Sequence, residues 1–301
     1  MKIKPFRYLR TPTGRKDALA GLLFLAPWIL GTIFFFLRQF ILVFVYAFSK
    51  EDFMDTGRYA FVGFENYKAV FTSDTSFIRS FFESVSGILL TSVFVLFFSM
   101  FVSLILNSKF HGRVLVRAIF FLPVIIATGP IIEIMNGDDI AKLLMSGQQT
   151  SIMFGTGTTQ DLLLSLGLPA GIAEMFGEVM NSIFNLSWKS GIQILLFMAG
   201  LQNVPQHLYE AARVEGASGW EMFWRITFPM LTPVLLLNTV YTLIDGFTDY
   251  TNATVKIIVD YTKNLHLSHA AALGTVYFLI VFVIVMLVYA VMNRKTFYME
   301  K

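Results

Sequence analysis

Apolar residues in this 301-residue chain gather into runs of about twenty, a length that suits one environment above all. A helix rises 1.5 Å per residue, so about 20 residues cover the ~30 Å hydrocarbon core of a bilayer while every backbone polar group stays bonded within the helix. Six such runs are legible, at about 18–37, 83–106, 115–135, 181–203, 230–249 and 270–292. With 55% hydrophobic residues, 14% charged residues and a mean hydropathy of +0.65, the chain is too apolar for a water-soluble globule. The expected fold class is all-α, a polytopic membrane protein with six transmembrane helices. The apolar run Gln39 to Phe48 is too short for another span and reads as a continuation of the first helix into the outer interface.

Charge then sets an expected orientation. The segments 1–18, 107–117, 204–229 and 293–301 together hold 14 Lys/Arg against five Asp/Glu, whereas the opposite side holds seven Lys/Arg and 15 Asp/Glu. The positive-inside bias predicts that both termini and the 204–229 loop are cytoplasmic. The expected organisation is a cytoplasmic segment 1–17, a six-span domain 18–292 with a long outer loop 136–180, and a cytoplasmic tail 293–301. The basic start, Lys2 to Lys16, precedes a run of full span length with no convincing small-x-small cleavage pattern, so it reads as a retained first span.

Between the fourth and fifth runs lies LYEAARVEGASGWEMFWRITFP, Leu208 to Pro229, a polar segment with helix signals of its own. Asn203 and Pro205 offer a start, Glu210-Ala211-Ala212 is small and helix-favouring, and Gly216 is a natural terminator. Ser218 with Glu221 three residues on has the capping-box pattern, and Pro229 is expected to close the second helix before the next apolar run. A bent pair of helices at the membrane surface is predicted. Small residues and one exposed face suit a helix-in-groove contact, with Glu210 and Glu215 placed to meet basic groups on a partner. The bland alternative is an amphipathic connector.

These residues resemble the signature of the membrane permease subunits of binding-protein-dependent ABC importers, in particular the carbohydrate-uptake, maltose-type branch. That signature is E-A-A, three residues, G, nine residues, I-x-L-P. Here it reads Glu210-Ala211-Ala212, Gly216 and Ile226-Thr227-Phe228-Pro229 at both spacings, with Phe228 where the family usually has Leu. The resemblance implies a cytoplasmic coupling-helix loop that fits a cleft on an ATPase subunit. It further implies a second related permease, two ATPase subunits and an extracytoplasmic solute-binding protein as partners, in a bacterial inner membrane. The stretches Phe61 to Tyr67 and Arg117 to Pro123 look like the same branch. The 136–180 loop departs from it in length, and contact with the solute-binding protein or a tolerated insertion both account for that.

Enzyme chemistry is not expected. No G-x-x-x-x-G-K-[ST] phosphate loop occurs, so ATP and Mg would be held by partner ATPase subunits and this chain is expected to carry no cofactor of its own. No carboxylate pair, metal-ligand spacing or nucleophile arrangement stands out, and the four histidines fall in expected loops or at span ends. The chain has no Cys, which excludes disulfides and thiolate metal sites, and the net charge of +3 follows from the topology bias rather than from a nucleic-acid partner.

Polar groups at membrane depth mark a candidate substrate pathway. Asn238, Thr242, Asp245 and Asp249 recur on one face of the fifth run, and Trp188 and Lys189 lie in the fourth. Counted from the cytoplasmic ends, Lys189 and Asp245 fall at about the same depth, roughly 22 Å by helix rise, and could pair. The resemblance places sugar-lining positions on Trp188, Lys189, Ile192, Thr242, Asp245 and Gly246. An indole face packs on a pyranose while Asp, Thr and Lys bond its hydroxyls. Three other readings stay open: an interhelical ion pair that only fixes packing, an ion-coupled secondary transporter using Lys189 and Asp245 as a relay, and a membrane scaffold. Within the ABC class, a phosphorylated polyol or acidic sugar would use Lys189 as counter-charge.

Overall fold

The computed structural model describes residues 12–51, 59–72, 75–108, 169–249 and 251–296, with isolated positions 112, 115, 116, 118, 164, 165 and 167. The predicted third span, nearly all of 115–135, lies outside the described residues, as does most of the 136–180 loop. Four described helices are long and apolar enough to cross a membrane: Leu19–Ala47, Phe77–Asn107, Gly219–Thr248 and Leu267–Asn293. Two compact units are present, residues 1–75 with 258–278, and residues 76–257 with 279–301.

In the first unit, helix α1 runs from Pro12 to Ala47 without a break, α-helical over Pro12–Gly31, π-helical over Thr32–Leu37 and α-helical again over Arg38–Ala47. The 39–48 run thus continues the first helix. Its surface is apolar all round, with Phe24, Trp28 and Phe35 each more than two-thirds exposed, as expected of a helix whose solvent is lipid. A two-stranded antiparallel hairpin follows, β1 Ser49–Glu51 with β2 Tyr59–Phe61, an element the helical patterning did not announce. Helix α2, Glu65–Thr72, then caps α1: Asn66 Nδ2 donates to the carbonyls of Ala47, 2.9 Å, and Ser49, 2.7 Å. Phe48 stacks among Phe61, Phe64 and Tyr67, and Gly63 makes the turn at φ +62. The Phe61 to Tyr67 stretch therefore acts as a plug over the end of the first span. Asn66→Ala removes the donor to both carbonyls, and a loss of about 1–2 kcal/mol is expected in thermal denaturation of the detergent-solubilised chain.

The second unit holds helix α3, Thr75–Asn107, then α4, Ala170–Lys189, and α5, Gly191–Gln202. The predicted single span 181–203 is therefore two helices. The chain breaks at Ser190, fully buried at φ −97 and ψ −1, and the helix before the break reaches back to Ala170, taking in the amphipathic stretch Ala170 to Met180 at the end of the outer segment 136–180. A short α6, Gln206–Val214, leads to α7, Gly219–Thr248, which is π-helical over Phe223–Thr227. The last two described helices, α8, Ala253–Lys263, and α9, Leu267–Asn293, are divided between the units, with 258–278 belonging to the first. Close packing holds α5 on α7: a Cβ added to Gly200 would stand 2.7 Å from Val234 Cγ2. Ile194 and Met198 of α5 pack with Val102 and Leu106 of α3 in the apolar core of this unit.

Candidate functional site

Two features of the second unit carry the chemistry, a helix pair at the foot of α7 and a polar cavity along its upper half. The helix pair begins at Pro205, and α6 ends where the sequence predicts. Gly216 adopts φ +80, the Gly216 amide donates to the Arg213 carbonyl and the Ala217 amide to that of Ala212. This doubly bonded left-handed terminus favours glycine because an L side chain there meets its own backbone. The capping box also forms, with the Ser218 amide 2.9 Å from Glu221 Oε2 and the Glu221 amide 3.3 Å from Ser218 Oγ.

Of the residues marked in this loop, Glu210, Ala211 and Gly216 are exposed and Ala212, Ile226 and Pro229 are half-buried. Val214 and Trp220 are exposed at 89% and 69%, so the outer side of the bend is apolar as well as acidic. Pro229 does not close the second helix as predicted. The helix passes through it into the membrane-length run, because the preceding turns are π-helical and the Phe228 amide bonds the Phe223 carbonyl five residues back. A widened turn gives the proline ring room against the carbonyl that an α-turn would press on it.

The cavity, about 200 Å³, lies between α3, the α4–α5 break and α7. From α7 come Thr242, Asp245 and Gly246, and from the break come Lys189 and Gln193. Asp249, Thr251 and Asn252, just past α7, close one end. The opposite wall is a face of α3 that sequence reading missed, Ser84, Gly87, Ile88, Thr91, Ser92 and Val95. Its signal was available as small and hydroxyl residues spaced three and four apart on one helical face. Gly246 permits close approach of α7 to that wall, since a Cβ there would stand 2.9 Å from Ile88 Cγ2.

Lys189 pairs with Asp249, Nζ to Oδ2 3.1 Å, and not with Asp245 as the depth count suggests. The count assumed two straight helices. The break at Ser190 and the end of α7 at Thr248 place Asp249 in the turn, where it also accepts the Thr251 amide at 2.8 Å. Among the described residues Asp245 forms no ion pair. Trp188 and Ile192 are half-buried and do not line the cavity, because the face that continues across the break is that of Lys189 and Gln193. Asn238 is fully buried and lies outside the lining. Its Nδ2 donates to the Gln193 backbone carbonyl at 3.1 Å, while Gln193 Nε2 donates to Thr242 Oγ1 at 3.2 Å. Asn238 thus clamps α5 to α7 beneath the cavity, the packing role that buried amides serve in membrane bundles. At the closed end Ser84 Oγ donates to Asn252 Oδ1, 2.8 Å, joining α3 to the turn after α7.

Comparison with known proteins fits this architecture. Residues 176–298 match the family described as the binding-protein-dependent transport system inner membrane component. The chain is 29% identical over 241 residues to the probable ABC transporter permease protein YesP of Bacillus subtilis (strain 168), covering 80% of this chain and 74% of that one. It is 31% identical over 232 residues to the arabinooligosaccharides transport system permease protein AraP of the same organism, covering 76% and 69%. Its fold matches a chain of a bacterial alginate ABC transporter, solved in complex with an alginate pentasaccharide-bound periplasmic protein. The TM-score is 0.69 at 22% identity, over 94% of this chain and 96% of that one. A helical, multi-pass membrane protein of this ancestry is a transport component and not an enzyme: the chain belongs to the inner-membrane permease subunits of binding-protein-dependent ABC transporters.

Proposed function

We propose that this chain is one half of the transmembrane pathway of a carbohydrate importer, taking up a neutral oligosaccharide. The observation that carries the reading is continuity. The same unbroken helix, α7, holds the bent pair at its foot and the cavity-lining Thr242, Asp245 and Gly246 in its upper half. A cytoplasmic ATPase seats on Glu210, Ala211, Ala212 and the Gly216 bend, through Ile226 and Pro229 its closure is passed to α7, and the cavity opens outward to receive sugar. Two ATPase subunits drive the cycle, a second permease faces the cavity, and an extracytoplasmic binding protein delivers the sugar. The six-span count, with 115–135 as the third span, and the cytoplasmic placement of both termini belong to the same proposal.

Cavity size and charge refine the substrate. A volume near 200 Å³ is below the roughly 300–1,000 Å³ of sites that enclose a whole drug-sized ligand. One subunit therefore holds part of an oligosaccharide and the second permease supplies the rest. The lining carries one cation and two carboxylates, and the cation is already engaged by Asp249. Asp245, which lies outside that ion pair, leaves the lining net acidic, able to accept hydroxyl bonds and costly to an anion, on the order of 4 kcal/mol at 4 Å separation in an effective dielectric of 20 before the opposing pull of Lys189. Hydroxyls of a neutral sugar suit that wall, and a phosphorylated polyol or uronate does not.

Pull-down of the tagged chain from mild detergent tests the assembly. An ABC ATPase and a second permease are expected to co-purify, and Glu210→Lys is expected to lose the ATPase while keeping the permease. Recovery of the chain alone under conditions that preserve a known ABC complex would count against the importer. For cargo, neutral arabino-oligosaccharides are expected to stimulate ATP hydrolysis by the reconstituted transporter well above a uronate oligosaccharide of equal length. Equal stimulation by the two would remove the charge argument.

A further inference from the structure

The bend that suits Gly216 to its turn is also a weak point for force. A Cβ at Gly216 would meet nothing within 4 Å, so the bend has open space around it. If the turn at 215–218 were the sole link between α6 and α7, a push on α6 would be absorbed by rotation at the bend. A second link exists. Tyr209, the residue before Glu210, places its hydroxyl 2.8 Å from Thr227 Oγ1. Thr227 is 6% exposed and is the last residue of the π-helical segment, the point where α7 passes into its membrane-length run. The hydrogen bond links residues 18 apart in sequence and joins α6 to the foot of α7 across the bend.

From that joint the path inward is made of close packing and buried hydrogen bonds. Leu231 and Val234 lie against Gly200 of α5, and Asn238 bonds the Gln193 carbonyl. Gln193 in turn reaches Thr242 at the cavity wall. We infer that Tyr209 is a positioning residue whose hydroxyl, bonded to Thr227, locks α6 to α7 as one lever, so that movement of a docked ATPase reaches the cavity through α7 and the α5 packed on it. The inference rests on the proposed ATPase docking at α6. It assigns Tyr209 a part distinct from docking, since the hydroxyl is directed at its own chain.

The absence of Cys from this chain supplies a test that needs no identified sugar. With Thr91→Cys as the sole thiol of this chain, its rate of reaction with a membrane-impermeant maleimide is measured in the assembled transporter, with and without ATP and vanadate. Tyr209→Phe on that background is expected to shrink the nucleotide-dependent change in rate by about two- to tenfold, the effect of one hydrogen bond, with ATPase co-purification unchanged. Thr227→Val is expected to do the same and Thr227→Ser to preserve the response. An undiminished response in Tyr209→Phe would overturn the inference while leaving docking intact. A response lost only in step with ATPase co-purification would also overturn it, because Tyr209 would then act in docking. Retention of the ATPase by Glu210→Lys would instead strike the docking reading.

Discussion

Gly216→Trp is expected to abolish uptake and ATPase co-purification while the chain still inserts in the membrane at normal yield. Two costs combine. Any L residue at φ +80 resists the left-handed conformation by roughly 1–2 kcal/mol, which loosens the bonds of Gly216 to Arg213 and of Ala217 to Ala212. The indole then projects into open space on the surface proposed to face the ATPase, since beyond residues 215–217 themselves nothing among the described residues lies within 4 Å of the new Cβ. A steric block on the partner therefore outweighs any disturbance within the chain. Gly216→Asn separates the two, because Asn tolerates the left-handed region and is small. It is expected to keep most of the activity. Normal uptake by a well-expressed Trp variant would show that this surface meets no partner.

A second large effect is expected at Gly200, inside the membrane-depth packing of α5 on α7. A Cβ there would stand 2.7 Å from Val234 Cγ2 and 3.1 Å from Leu231 Cδ2, and Val234 is β-branched with little rotamer freedom in a helix. Gly200→Ala should cost about 1–3 kcal/mol by overpacking, and Gly200→Leu more. Forcing the helices apart would also lengthen the Asn238 bond to Gln193 farther along the same helix pair. The Leu variant is expected to lose folded yield, read by size-exclusion after graded heating. Val234→Ala is expected to restore the Gly200→Ala variant, and failure of that rescue would place the clash elsewhere.

Much of the site was legible because its signals are local. Gly216 and the Ser218–Glu221 box bond within a few residues, so spacing alone foretold both the terminus and the cap. The polar members of α7 stood out because ionisable groups are rare at membrane depth. The errors were of another kind. Pro229 is a helix breaker by local rules, yet a π-helical turn admits it. Lys189 and Asp245 were matched by counting along straight helices, and the break at Ser190 invalidates the count. The α3 wall was passed over because Ser, Thr and Gly carry no charge to draw notice.

Membrane residence, helical class and the bent pair followed from the order of residues alone, since they depend on backbone bonding, run length and contacts a few residues apart. Which polar residues face the cavity and which clamp the helices was decided only in three dimensions. Asn238 and Thr242 are one helical turn apart on the same face, yet one is sealed against α5 and the other lines the wall. Both bond Gln193 of α5 and both are buried, but the packing seals Asn238 completely and leaves Thr242 an edge on the cavity, and no pattern within a single helix contains that information.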